Sequence, residues 1–265
     1  TIINIGGSDS QKSELLAKVA AGEILLALAL EESHRHSPYN ISSKAEANGD
    51  SYAISGKKTF VLDGHVADKL IVVARTSGET GDREGITLFL VDREAEGVNV
   101  VRTLMADSRN AANIEITGVS VSSDAVVGEV GKGADILDPA LDIARIGISA
   151  EMLGSLQECF ERTVEYLKER KQFGVAIGSF QALKHRAANM FCEIELSKSC
   201  VLEALTALEE QRDAEEIAKL ASLAKAKVGE TFNMVSREGI QMHGGIGMTD
   251  EFDIGFFIKR AAVTE

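Results

Sequence analysis

The 265-residue sequence predicts an α+β protein, an antiparallel β-sandwich or barrel domain followed by an antiparallel four-helix-bundle-type domain. Three observations carry this. Between about Asn48 and Val130, short β-rich runs ("SYAIS", "KTFVLD", "KLIVVART", "ITLFLVD", "VNVVRT", "NIEITGVSV") alternate with Gly- and Asp-rich breaks. From about Gly133 onward, apolar residues recur at helical spacing in long stretches joined by short ones. No helical stretch separates successive β-runs, which disfavours a doubly wound parallel sheet.

In chain order, Ser8 to about Leu30 reads as helical: Leu15, Leu16, Val19 and Ala20 fall at helix spacing, with Ser8 or Ser10 as cap. The β-rich runs then supply six to eight strands. In the last part, Leu153, Leu156, Phe160, Val164 and Leu167 mark one helix face. Phe180, Leu183, Ala187, Met190 and Ile194 mark a second, running on toward Leu205; Ile217, Leu220, Ala224, Val228 and Val235 mark a third. Asp213 with Glu216 has the form of a capping box before the third.

Composition narrows the function. Hydrophobic residues make up 45% of the chain, enough for a sizeable core. A net charge of -13 argues against broad nucleic-acid binding, which needs surplus Lys and Arg for phosphates, but leaves room for a local anion pocket. Cys159, Cys192 and Cys200 lie in helical patterns without metal spacing, as expected of free thiols in the cytoplasm or another reducing compartment. No metal site is expected, and no apolar run has membrane-spanning length. The sequence opens on Thr1 rather than Met, as expected within a longer protein, so N-terminal targeting is not visible.

Four short motifs remain. "KERKQFG" places cations where a helix ends: Lys and Arg there complement the helix dipole, with Gly174 as C′ residue, or Arg170 offers its planar fork to a phosphate. "QMHGGIGMTDE" (Gln241 to Glu251) ends a helix on Gly244, Gly245 and Gly247, either as a plain terminator or as backbone that a ligand approaches closely. "GEVGKGAD" reads as a domain hinge. In "LDIARIG", Asp142 and Arg145 form an intrahelical ion pair or face a ligand.

Taken in order, these pieces resemble the acyl-CoA dehydrogenase family over nearly the whole chain. The matching stretches are "KVAAGEILLALALEE", "YAISGKKTFVLDGHVADKLIVVART", "VSVSSDAVVGEVGKGADIL", "ERKQFGVAIGSFQALKHRAANM" and "QMHGGIGMTDE". The last two are the most specific. The resemblance implies residues 1–23 as the end of an N-terminal helical domain, 24–131 as the middle β-domain and 132–265 as a truncated C-terminal bundle. It implies FAD as cofactor and assembly as a homo-oligomer, dimer or tetramer. Arg170, Phe173, Gln241 and Gly245 would meet a neighbouring subunit's FAD. Phe60 takes the place of an aromatic near the flavin ring, commonly Trp in the family, and this chain has no Trp. Leu30, Glu31 and Ser37 occupy the segment that elsewhere contacts flavin and thioester, and Asp142 and Arg145 match positions lining the acyl-CoA pocket.

The implied activity is FAD-dependent α,β-dehydrogenation of an acyl-CoA thioester in fatty acid metabolism, with electron-transfer flavoprotein or a similar acceptor. The alternative is a catalytically weak dehydrogenase-like subunit that binds FAD or a partner chain in a mixed oligomer. Two departures bear on this. The family's "TEPGAGSD" loop is here "EESHRHSP", keeping Glu32 and Ser37 from its polar positions. The family's usual base would fall three residues beyond Glu265, and the alternative base position in the first bundle helix holds Ala144. Glu265 aligns with a non-catalytic position, so no catalytic residue is assigned.

Overall fold

A computed structural model describes all residues, Thr1–Glu265. The chain forms two compact units, residues 1–140 and 141–265.

The first unit opens with two helices, α1 (Ile2–Gly6) and α2 (Asp9–Ala21). Ser8 is the N-cap of α2 in a full capping box: its side chain accepts from the Gln11 N–H, and the Gln11 side chain accepts from the Ser8 N–H. The helical reading of residues 8–30 holds only to Ala21. Gly22 adopts φ 72°, its N–H caps carbonyls of the last turn, and the chain leaves the helix there. Leu26–Ala29 instead forms strand β1, with Ala27 and Ala29 facing the core. Strand pairing and burial of one face override the helix spacing of these small and aliphatic residues.

The remaining strands are β2 (Lys44–Asn48), β3 (Ser51–Leu62), β4 (Lys69–Arg75), β5 (Ile86–Asp92), β6 (Val98–Leu104), β7 (Asn110–Ser122) and β8 (Val126–Val127). They make one eight-stranded sheet in the order β6-β7-β3-β2-β4-β5-β8, with β1 pairing β4. Most pairings are antiparallel; β1 and β2 each meet β4 in parallel. Leu70, Val72, Ala74, Phe89, Ile54 and Ile114 fill the core of this unit. Buried Arg75 directs its guanidinium to the carbonyls of Tyr39, Ile41, Ser77, Asp82 and Glu84, fastening two loops at once.

The "GEVGKGAD" stretch is stitched to β5 rather than left free as a hinge. Gly131 accepts from the Gly85 N–H and donates to Thr87, and the Gly133 N–H bonds the Ile86 carbonyl. The division between the units falls later, inside helix α3 (Ala134–Glu169).

The second unit continues α3 and adds a two-residue hairpin, β9 (Lys171–Gln172) with β10 (Val175–Ala176). Helices α4 (Gln181–Glu209), α5 (Ala214–His243) and α6 (Ile254–Thr264) follow. Helix α5 lies at the centre and buries Ala221, Ala224, Val228, Phe232 and Val235. Its glycines let α3 approach closely: a Cβ on Gly239 would stand 3.0 Å from Cys159 Sγ and 3.2 Å from Thr163 Oγ1. Asp213 caps α5 through the Glu215 N–H; Glu216 does not close a capping box but bonds Arg212. The protein is α+β, a sheet unit followed by a helical unit.

Candidate functional site

Helix α3 ends at Glu169, so Arg170 is the first residue beyond it, and Gly174 lies too far on to be its C′ residue. Gly174 and Phe173 are instead the turn of the β9–β10 hairpin, at φ 81° and 54°. Positive φ at both central positions suits the twist of a two-residue hairpin, and Phe173 bears the strain of a side chain there. Its ring is 90% exposed and meets Phe180 edge-on at 6.1 Å. The Arg170 guanidinium is exposed and forms no ion pair, although Lys168 nearby pairs with Glu165.

The second predicted motif lies at the same end of the helical unit. Tyr166, one turn before Arg170, donates its hydroxyl to the His243 carbonyl at 3.3 Å and stacks on the His243 ring at 4.3 Å. Gln241 is exposed in the last turn of α5, followed by Gly244 at φ 65° and Gly245. A Cβ on Gly245 would meet nothing within 4 Å, so the chain's own packing does not demand glycine there. His243 is buried: burial depresses its basicity, only partly offset by its Nδ1–H donating to the Gly239 carbonyl at 2.7 Å. Its neutral Nε2 finds no protein partner. An exposed cation, an exposed ring and an open glycine backbone fit the phosphate, ring and close-approach needs of a dinucleotide.

In the first unit Phe60 sits at a β-bulge of β3 with φ 54°, its ring 57% exposed. The Leu30 side chain is 5% exposed, so this residue presents little beyond its backbone. Ser37 is half-buried, its N–H donating to the Glu31 carboxylate at 3.2 Å, and that carboxylate also meets His36 Nδ1 at 2.6 Å.

Asp142 and Arg145 form the expected intrahelical pair at 2.7 Å, with Asp142 buried. Arg145 also lines a cleft of about 710 Å³ in the helical unit, together with Lys225, Gly229, Asn233 and Glu265. Lys225 donates to the Glu265 carbonyl at 2.8 Å, and burial lowers its basicity. The Glu265 carboxylate accepts from Asn233 at 3.0 Å. Ala144 is exposed on α3 and brings no ionisable group.

The sequence reading passed over one feature of the first unit, the buried pair of Lys58 and Glu32. Lys58 Nζ lies 2.7 Å from Glu32 Oε1, with side-chain exposures of 0% and 8%. Burial by itself would raise the Glu32 carboxyl, but the Lys58 charge and the hydrogen bonds from Lys58, Ser42 and Ser43 outweigh it and hold it at about 2. Burial pushes Lys58 down to about 8, with Glu32 and Glu31 offsetting part of the effect. Both groups are therefore charged between these values. The signal was available: Ile54, Gly56 and Lys58 alternate onto one face of β3, placing a lysine where an apolar residue is expected.

Residues 131–265 match the family model "acyl-CoA dehydrogenase, C-terminal domain", and residues 27–119 match "acyl-CoA dehydrogenase, middle domain". The chain belongs to the acyl-CoA dehydrogenase family. It is 31% identical over 270 residues to the short/branched chain specific acyl-CoA dehydrogenase of Bos taurus, covering 99% of this chain and 62% of that one. It is 31% identical over 254 residues to the caffeyl-CoA reductase-Etf complex subunit CarC of Acetobacterium woodii, covering 94% and 66%. A crystal structure of an FAD-dependent dehydrogenase superposes with TM-score 0.92 at 28% identity, over 99% of this chain and 71% of that one. The chain thus spans less than two thirds of the length of both relatives. No helix is long and apolar enough to cross a membrane.

Proposed function

We propose that the protein is a flavoprotein that binds FAD and dehydrogenates an acyl-CoA thioester between its α- and β-carbons. The observation that carries this is the meeting of the α3 and α5 ends through Tyr166 and His243, with Arg170, Phe173, Gln241 and Gly245 left outward around it. In this reading those four residues bind the diphosphate and adenosine of a neighbouring subunit's FAD in a homo-oligomer. Arg170 supplies charge, Phe173 an exposed ring, and Gly245 a backbone without a side chain in the way. Phe60 and the 30–37 segment form the flavin and thioester side. The middle β-domain, residues 24–131, and the bundle, 132–265, are the functional divisions of this scheme.

Bound FAD supplies a two-electron acceptor for the β-hydrogen. The protein's own part is to bind and orient the thioester and exclude water around it. Asp142 and Arg145, locked together at 2.7 Å, present a fixed pair to the acyl-CoA, with the Arg145 cleft as its channel. Hydrogen bonds to the thioester carbonyl acidify the α-carbon. The α-proton acceptor is not assigned: Ala144 cannot serve, and Glu265 is engaged by Asn233.

The loop supports a second reading, a weakly active subunit of a mixed assembly. Both of its carboxylates, Glu31 and Glu32, are engaged within the loop rather than turned outward. The relative from Acetobacterium woodii is named as a subunit of a complex with Etf, so electron-transfer flavoprotein is the proposed electron partner.

The test is the visible flavin spectrum of purified protein under anaerobic conditions, before and after a panel of acyl-CoAs. Bleaching by one chain-length class supports the dehydrogenase. A flavin band that no acyl-CoA bleaches supports the second reading. Absence of flavin after loading with FAD sinks the dehydrogenase and leaves the second reading only in its form that binds a partner chain.

A further inference from the structure

The segment from Leu30 to Ser43 leaves β1, runs out to an exposed His34–Arg35–His36 tip and returns to β2. Its two limbs meet at one carboxylate. Glu32 accepts the Ser42 N–H at 2.7 Å, the Ser42 hydroxyl at 2.5 Å and the Ser43 N–H at 3.0 Å. Lys58, reaching in from β3, donates to the same carboxylate at 2.7 Å and to the Leu30 carbonyl at 3.1 Å. Neighbouring Thr59 adds two bonds, its N–H to the Glu31 carbonyl at 2.8 Å and its hydroxyl to the Ser33 carbonyl at 3.2 Å. The next residue is Phe60, at the positive-φ bulge. The buried ion pair thus sits at the base of the loop that carries Leu30, Glu31 and Ser37, two residues before Phe60 on β3.

A buried ion pair seldom stabilises a fold more than apolar residues of the same size would. What it does supply here is direction: a charged fork that accepts from two successive backbone amides fixes one loop pose, which an apolar contact does not. We propose that Glu32 and Lys58 are positioning residues, a clamp that holds the 30–43 loop and the Phe60 bulge in the arrangement that receives the cofactor. The consequence for FAD rests on the flavoprotein reading above; the clamp itself does not.

The test separates stability from positioning. A double variant, Glu32→Leu with Lys58→Met, removes both charges and leaves neither buried alone. It is compared with wild type for thermal midpoint, tryptic cleavage at Arg35 mapped by mass, and FAD affinity. The expected result is a midpoint near wild type, cleavage at Arg35 at least tenfold faster, and FAD binding at least tenfold weaker. A double variant with wild-type cleavage and wild-type FAD affinity overturns the proposal. If wild type takes up no FAD, the flavoprotein reading fails, and the cleavage ratio alone decides the clamp. If the double variant does not fold, hydrogen exchange on wild type decides it. Ser42 and Ser43 amides as slow as those of β3 support the clamp, and amides as fast as those of the tip overturn it.

Discussion

Replacing Glu32 by Gln should destabilise the protein by an amount that vanishes in acid. The carboxyl is held at about 2, against an ordinary value of 4.5. Because the folded-state value is the lower one, the stabilisation is fully present above about pH 4.5 and is lost as pH falls toward 2. A shift of that size corresponds to about 3–4 kcal/mol, within the roughly 3–5 kcal/mol for stranding one partner of a buried pair. The Lys58 side chain, fully buried, has no solvent to replace the lost carboxylate. Urea unfolding of wild type and Glu32→Gln at several pH values gives the difference directly, and background titration of other carboxylates cancels in it. The difference should be about 3–4 kcal/mol at pH 6 and near zero at pH 2. A difference that stays constant across this range would refute the assignment of the charge pair.

Other perturbations test the packing and the thiols. Gly239→Ala puts a Cβ 3.0 Å from Cys159 Sγ, inside α5 where α3 presses closest, and should cost about 1–3 kcal/mol in denaturant unfolding. A thiol reagent on native protein should modify exposed Cys192 and spare Cys159, whose thiol burial pushes up to about 12. Cys159 should react only with unfolding, as labelling with and without urea will show. Ser8→Ala removes the acceptor of the α2 capping box and should cost about 1 kcal/mol, measured by thermal unfolding.

The periodicity of the sequence located the long helices well because each buries a continuous stripe, as Ala224, Val228 and Val235 do on α5. The β-runs were legible for the same reason, with Leu70, Val72 and Ala74 alternating into the core of β4. Residues 26–29 were misread because Leu and Ala suit either period, and only pairing with β4 decides between them. Gly174 was misplaced because Gly after a basic run suits both a helix stop and a hairpin turn. Of the candidate site, Arg170, Phe173, Gln241 and Gly245 were legible from the two motifs. Their meeting was not, since the Tyr166–His243 contact joins residues 77 apart. The clamp was half-legible: Lys58 stands at an inward position of β3, but its partner Glu32 is reached only through the fold.

The central claim is that the cations at the end of α3 serve a dinucleotide. The direct measurement is FAD content per chain, by flavin absorbance after gel filtration, in wild type, Arg170→Ala and Lys171→Ala. Losing a charge-assisted contact to phosphate costs roughly 1.5–3 kcal/mol, about ten- to a hundredfold in affinity. The account predicts flavin in oligomeric wild-type protein, a marked loss in Arg170→Ala with unchanged helical circular dichroism, and little change in Lys171→Ala. Equal flavin content in wild type and Arg170→Ala would contradict it and leave Arg170 as no more than a cation at a helix end.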